Sequence, residues 1–244
     1  MTAPRAPLLA LEGVETRIGP YHILHGVDLM VPEGGATMLL GRNGAGKTTT
    51  VRTIMGLWRA SAGRILFAGT DITARETPDI ARLGIGYVPE TMGIFADLTV
   101  AENMRLAALS GRIDPARLGT IFAMFPALKR FWLGRAGTLS GGQKQMLSLA
   151  RAIAEPRRLL VIDEPTKGLA PAIVANMIAA FRDLKAGGAT ILMVEQNFSL
   201  ARAIGDTVAV MDDGRVVHAG AMADLAEDED LQHRLLGLSL ASHQ

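Results

Sequence analysis

Gly41-Arg42-Asn43-Gly44-Ala45-Gly46-Lys47-Thr48 satisfies the pattern G-x-x-x-x-G-K-[ST], and its flanks decide what the pattern means. Before it, Ala36–Leu40 is a short apolar run broken by Gly41, which reads as a buried strand. Behind it, Val51, Ile54, Met55 and Trp58 fall at i, i+3, i+4 and i+7, so a helix with one apolar stripe opens near Gly46. In a strand, glycine loop and helix of this kind, successive backbone N–H groups converge on phosphate, helped by the positive end of the helix dipole. Lys47 adds a mobile cation for the β- and γ-phosphates, and the Thr48 hydroxyl offers a ligand to Mg²⁺. At average residue usage the octet arises by chance in a chain of 244 residues on the order of once in a hundred, before strand and helix are required.

Downstream, Leu159-Leu160-Val161-Ile162-Asp163 is an apolar strand ending in an acid, which brings a carboxylate beside the Mg²⁺ shell of a phosphate-binding loop. Glu164 follows on the other side of the strand end and is the candidate general base for a water in line with the γ-phosphate. Alone, Asp-Glu-Pro after a strand is only a capped turn; the upstream loop gives it chemical meaning. Leu139-Ser140-Gly141-Gly142-Gln143 opens another helix and offers a second anion cradle, or else an ordinary N-cap. If both cradles serve one nucleotide, a partner subunit must face this one, because the second lies on a different lobe.

The rest of the chain supports an α/β reading. Leu8–Val31 alternates apolar stretches with Gly, Pro and Asp and reads as short strands and turns. Gly63–Gly69 and Ile85–Val88 read as strands, and Leu98–Arg135 as a helical insertion. Past it, Met146, Leu149, Ala150 and Ile153 mark a helix; Val174, Met177, Ile178 and Phe181 mark the next; Thr190–Val194 and Thr207–Met211 are strands. Such alternation argues a parallel sheet covered by helices. Ala221–Leu236 reads as one helix, with Glu227–Asp230 its solvated face. With 25 Lys+Arg against 24 Asp+Glu and no basic block, nucleic acid is not an expected partner. Zero cysteines exclude disulfides and thiolate chemistry and suit a reducing compartment. Mean hydropathy is +0.25, yet no apolar run approaches the roughly 20 residues of a membrane-spanning helix, and the first residues lack the pattern of a secretory signal.

The order of these segments, and the words between them, resembles the ATP-binding subunits of ABC transporters from about Leu8 to Leu238. Gly41–Thr48 corresponds to the Walker A loop, Leu139–Gln143 to the signature, Leu159–Asp163 to the Walker B strand, and Glu164 to the catalytic acid. Ile85–Glu90, Leu98–Asn103, Phe125–Arg130, Gly168–Pro171 and Val194–Asn197 narrow the resemblance to the second ATPase subunit of branched-chain amino-acid and related amide importers. It implies a P-loop NTPase with a RecA-like parallel core, an N-terminal antiparallel β subdomain and an inserted helical signature subdomain. The implied boundaries are 8–238 for one domain: 8–95 and 156–220 for the core, 96–155 for the helical subdomain, 221–240 for a C-terminal helix. The implied cofactors are ATP and Mg²⁺. Gly41–Thr48, the following Thr49 and Ser140–Gln143 would contact nucleotide, Thr48, Glu90 and Asp163 the metal, and Glu164 with Gln196 would serve catalysis. The implied partners are a second ATP-binding subunit, equal or different, two permease subunits and, indirectly, a solute-binding protein, on the cytoplasmic face of the membrane.

The chain departs from the pattern in informative places. Ile18 stands where an aromatic usually stacks on adenine, with Tyr21 near enough in sequence to substitute. Glu90, Ala170 and Gln196 stand where most ABC ATPases carry Gln, Asp and His, and Thr91-Met92-Gly93 lacks a basic residue common in this subfamily. Ile18, Ala170 and Gln196 motivate one alternative, a nucleotide-sensing module with weak turnover, and because selectivity resides in other chains the resemblance leaves another, an importer of urea, short amides or another solute. The five histidines (His22, His25, His218, His233, His243) are expected as ordinary surface or turn residues.

Overall fold

A computed structural model of the chain describes residues 7–237. Residues 238–240 of the expected C-terminal helix, and His243, lie outside them. The chain enters as a long hairpin, β1 (Pro7–Ile18) and β2 (Tyr21–Pro32), paired antiparallel from Pro7↔Pro32 to Ile18↔Tyr21. This corrects the expectation of short strands and turns. The interior glycines are bulges: Gly13 and Gly26 take φ of +58° and +83°, and the register shifts between Leu11 and Val14. β3 (Ala36–Gly41) then leads through the glycine loop into α1 (Lys47–Ile54). Trp58 is not on the helical stripe, because Gly56 at φ +68° ends the helix and its N–H returns to the Thr53 carbonyl at 3.0 Å. A side chain there would meet the Arg75 carbonyl at 2.8 Å.

β4 (Ala60–Phe67) and β5 (Thr70–Asp71) complete an antiparallel sheet ordered β2-β1-β4-β5. After α2 (Thr77–Arg82) and β6 (Ile85–Val88) come α3 (Val100–Leu106), α4 (Pro115–Met124) and α5 (Pro126–Arg130), held by the buried Phe125 and Leu128. The chain continues as α6 (Gly141–Ala152), β7 (Leu159–Asp163), α7 (Pro171–Ala186), β8 (Thr190–Val194), α8 (Phe198–Ile204) and β9 (Thr207–Asp212). An unanticipated strand, β10 (Arg215–Ala221), folds back through the two-residue turn Asp213-Gly214, with φ of +42° and +70°. Asp-Gly between apolar alternations was the available signal. The tail is two helices, α9 (Met222–Glu227) and α10 (Glu229–Leu236), because Asp228 caps the second by accepting from the Leu231 N–H at 2.8 Å.

The six-stranded sheet is ordered β10-β9-β3-β8-β7-β6, parallel except at β10. Apart from the largely exposed β10, its strands are buried on both faces and alternate between two cores. Met38, Leu160, Ile162, Ile191, Met193, Val208 and Val210 face the helical side with Phe181 of α7. Leu39, Leu159, Val161, Leu192, Val194 and Ala209 face the antiparallel sheet and α1. Full burial of each large side chain contributes about 1.5–3 kcal/mol, so the two faces fix the register of the strands that carry the site.

Candidate functional site

In an open parallel sheet, loops leaving the carboxyl ends of the strands share one edge. Here the order β3, β8, β7, β6 sets Gly41, Gln196, Asp163-Glu164 and Glu90 side by side along that edge, although they are far apart in sequence. Leu39 and Asp163 both stand opposite Val194, which fixes the register between loop, middle strand and acid.

The loop has little freedom. Gly41 has φ +141°, and a Cβ there would lie 2.2 Å from the Met211 carbonyl oxygen. Gly46 has φ +100° and would strike Leu24 at 2.9 Å, so neighbouring strands, not local turn preference alone, demand glycine. Lys47 is buried, and its ammonium donates to the carbonyls of Gly41 at 2.8 Å and Arg42 at 3.0 Å. Burial lowers its pKa from the ordinary lysine value. Thr49, expected among the nucleotide contacts, is half-buried in the first turn of α1, where its carbonyl accepts from the Thr53 hydroxyl at 2.8 Å. The first-turn amides of α1, that of Thr49 included, have no intrahelical acceptor, so an anion at the loop would meet aligned N–H groups. What Thr49 can bring to a phosphate is therefore its backbone N–H, while Thr48 brings a hydroxyl.

Thr48 donates that hydroxyl to Asp163 Oδ1 at 3.1 Å. Asp163 Oδ2 is buried without a hydrogen-bond partner, and burial pushes the carboxyl pKa up to about 6. A hydroxyl beside an uncompensated carboxylate oxygen is a hard donor set that fits Mg²⁺. Among the described residues no group of three or more His, Asp or Glu could hold a metal by itself, so the histidines supply no second centre. Glu90, expected toward the metal, spends Oε1 on the Lys167 ammonium at 2.6 Å.

Glu164 sits at φ +46°, an uncommon backbone for a residue with a side chain, anchored by its N–H to the Val194 carbonyl at 3.0 Å. Gln196 Nε2 donates to Glu164 Oε1 at 2.5 Å, so the two expected catalytic residues meet. Sequence reasoning missed two members of this cluster. Glu195, buried, accepts from the Gln196 and Asn197 amides, both at 2.9 Å, and from the Thr166 hydroxyl at 2.6 Å, tying the end of β8 to the turn after Glu164. Lys167 reaches Glu164 Oε2 at 3.3 Å while bonded to Glu90, which raises the lysine pKa. An acid in a strand-end word and a lysine three residues beyond an acid were the only hints.

The second cradle behaves differently. Ser140 Oγ accepts from the Gln143 N–H at 3.4 Å and Gln143 Oε1 from the Ser140 N–H at 2.9 Å, a reciprocal capping box on α6. Gly141 is open, with nothing within 4 Å of an added Cβ, but Gly142 is buried and would strike Ile173 of α7 at 2.7 Å. Its glycine therefore serves the close packing of α6 on α7, not an open backbone as expected. Ile18 and Tyr21 face each other across the first hairpin, and Tyr21 is 69% exposed.

The ABC transporter sequence profile matches residues 24–167. The chain is 34% identical over 232 residues to the high-affinity branched-chain amino acid transport ATP-binding protein BraG of Pseudomonas aeruginosa, covering 94% of this chain and 100% of that one. It is 37% identical to the probable branched-chain amino acid transport ATP-binding protein LivF of Archaeoglobus fulgidus, over 89% and 93%. A solved ATP-binding subunit of an ABC transporter superposes with a TM-score of 0.79 at 31% identity, over 96% of both chains. Another ATP-binding cassette, in its ADP conformation, gives 0.78 at 26%, over 95% and 99%. With its phosphate loop, acidic strand end and fold matched over nearly its whole length, the chain belongs to the ABC transporter family as a nucleotide-binding, ATP-hydrolysing cassette.

Proposed function

We propose that the chain powers the import of branched-chain amino acids. The observation that carries this reading is the near end-to-end match to two relatives that bear that name, over 94% and 89% of this chain. In the proposed cycle, Gly41–Thr48 and the Thr49 amide hold the phosphates of ATP, and Lys47 turns from its own carbonyls to the β/γ-phosphates. Thr48 and Asp163, with Glu90 at the margin, would hold Mg²⁺, which when bound neutralises phosphate charge. Glu164 takes a proton from water while the water oxygen bonds to the γ-phosphorus and the bond to the β-bridging oxygen breaks, leaving ADP and phosphate. Gln196 orients that water and donates to the γ-phosphate.

The exposed Ser140–Gln143 helix start would complete the nucleotide site of a second ATP-binding subunit. A cleft of about 330 Å³ between the lobes, walled by Met55, Tyr87, Pro89, Met92, Ala107 and Arg151, is the seat we assign to a permease. Exposed Leu57 and Leu106 stand next in sequence to that wall. No helix among the described residues is long and apolar enough to cross a membrane, so membrane association would run through the permeases. Reconstitution in vesicles with the permeases and solute-binding protein of a branched-chain amino-acid importer tests the reading. ATP-dependent uptake of leucine, isoleucine and valine is expected; uptake of urea or short amides without them would overturn the solute.

A further inference from the structure

Lys167 stands between two carboxylates on different elements: Glu90, beyond β6, at 2.6 Å, and Glu164, beyond β7, at 3.3 Å. Its backbone N–H also turns back to the Glu164 carbonyl at 3.3 Å, so the lysine is tethered three residues from the acid. Glu164 is 8% exposed, with Oε1 already taken by Gln196, which leaves Oε2, in looser contact with Lys167, as the oxygen to receive a water proton. A tethered cation with no other acid in reach would settle on that oxygen. Its hydrogen bond would occupy the lone pair and stabilise the carboxylate, making it a poorer proton acceptor. The acid that draws it away belongs to a different segment, the one that follows β6 and carries Glu90.

We propose that Glu90 is a positioning residue that acts through Lys167, sharing the ammonium so that it stays 3.3 Å from Glu164 Oε2 instead of closing on it, which keeps that oxygen basic enough to take a proton from water. The proposal rests on the reading of Glu164 as general base. It also accounts for an acid at position 90, which a role as a metal ligand does not require: a charged partner is what a lysine at 167 needs.

The test is a set of variants in the assembled transporter, assayed for phosphate release at saturating MgATP and for MgATP affinity by calorimetry. Glu90→Gln should lower kcat about tenfold, and Glu90→Asp, which keeps the charge, should restore most of it. Adding Lys167→Met to Glu90→Gln should bring kcat back to within about threefold of the parent, whereas Lys167→Arg, which keeps the cation, should leave it slow. MgATP affinity should be equal in Glu90→Gln and the Lys167→Met double variant. Full activity of Glu90→Gln, or failure of Lys167→Met to rescue it, overturns the proposal, as does a rescue that tracks nucleotide affinity. Glu164→Gln in the same assay separates the two readings: if it keeps turnover, the general-base assignment itself fails.

Discussion

The two anion cradles of this chain are built to opposite plans. Gly41–Thr48 is clamped by strands on either side, and its lysine is folded onto its own carbonyls. Ser140–Gln143 lies at an exposed helix start whose polar groups satisfy each other. The first has its loop, lysine and acidic strand end brought together by its own chain. The second has its polar groups paired with each other and Ser140 and Gly141 exposed, which suits a surface offered to another subunit. The difference teaches that equal sequence signals, glycines at a helix start, can mark a loop locked by neighbouring strands or a helix cap whose glycine packs against the next helix.

The largest effect should come from Glu164→Gln, which removes the proton acceptor but keeps a polar side chain beside Gln196. Turnover should fall about 10²–10⁴-fold with MgATP affinity retained, read by phosphate release and calorimetry. Gly41→Ala comes next: a Cβ 2.2 Å from the Met211 carbonyl cannot be relieved by a side-chain rotation, so roughly 3 kcal/mol of stability and measurable nucleotide binding should be lost. Gly141→Ala, in open space, should cost the isolated chain less than about 0.5 kcal/mol. Equal melting temperatures for the two variants would erase the contrast between the cradles.

Lys47→Ala should weaken MgATP binding of the isolated chain by about 2 kcal/mol, while Ser140→Ala should leave it unchanged and cost about 1 kcal/mol of stability as a lost cap. Titration calorimetry with parallel unfolding curves distinguishes them. Asp163 adds a pH dependence. Its carboxyl pKa lies at about 6 in the fold against 3.8 as reference, so the nucleotide-free fold loses stability as pH rises across that window. Asp163→Asn should therefore stabilise the nucleotide-free chain by about 2 kcal/mol at pH 7.5, with the gain vanishing near pH 4. Thermal unfolding at both values checks the sign, which is opposite to the expected damage to turnover.

The parallel core was legible because its strands are short apolar runs bounded by glycine, acid or proline, and the phosphate loop because its spacing is restrictive. Leu8–Val31 misread because a glycine in a bulge and a glycine in a turn look alike in one dimension; only the partner strand tells them apart. The Trp58 stripe failed because apolar spacing cannot see Gly56 against the Arg75 carbonyl. In the site, Glu164 and Gln196 could be named from neighbouring words. Glu195 and Lys167 could not, since their importance comes from strand order, which sets the ends of β8, β7 and β6 shoulder to shoulder.

The backbone of Glu164, held at φ +46°, has a consequence for heat resistance. A side chain in that conformation costs on the order of 1 kcal/mol that glycine would not incur. Glu164→Gly would relieve that strain but give up the Gln196 hydrogen bond and the Lys167 contact and add unfolded-state entropy, so such a cassette should melt no higher than the parent. The strained backbone is thus kept in place by the same contacts that aim the carboxylate, and heat resistance and aim stand or fall together at this residue.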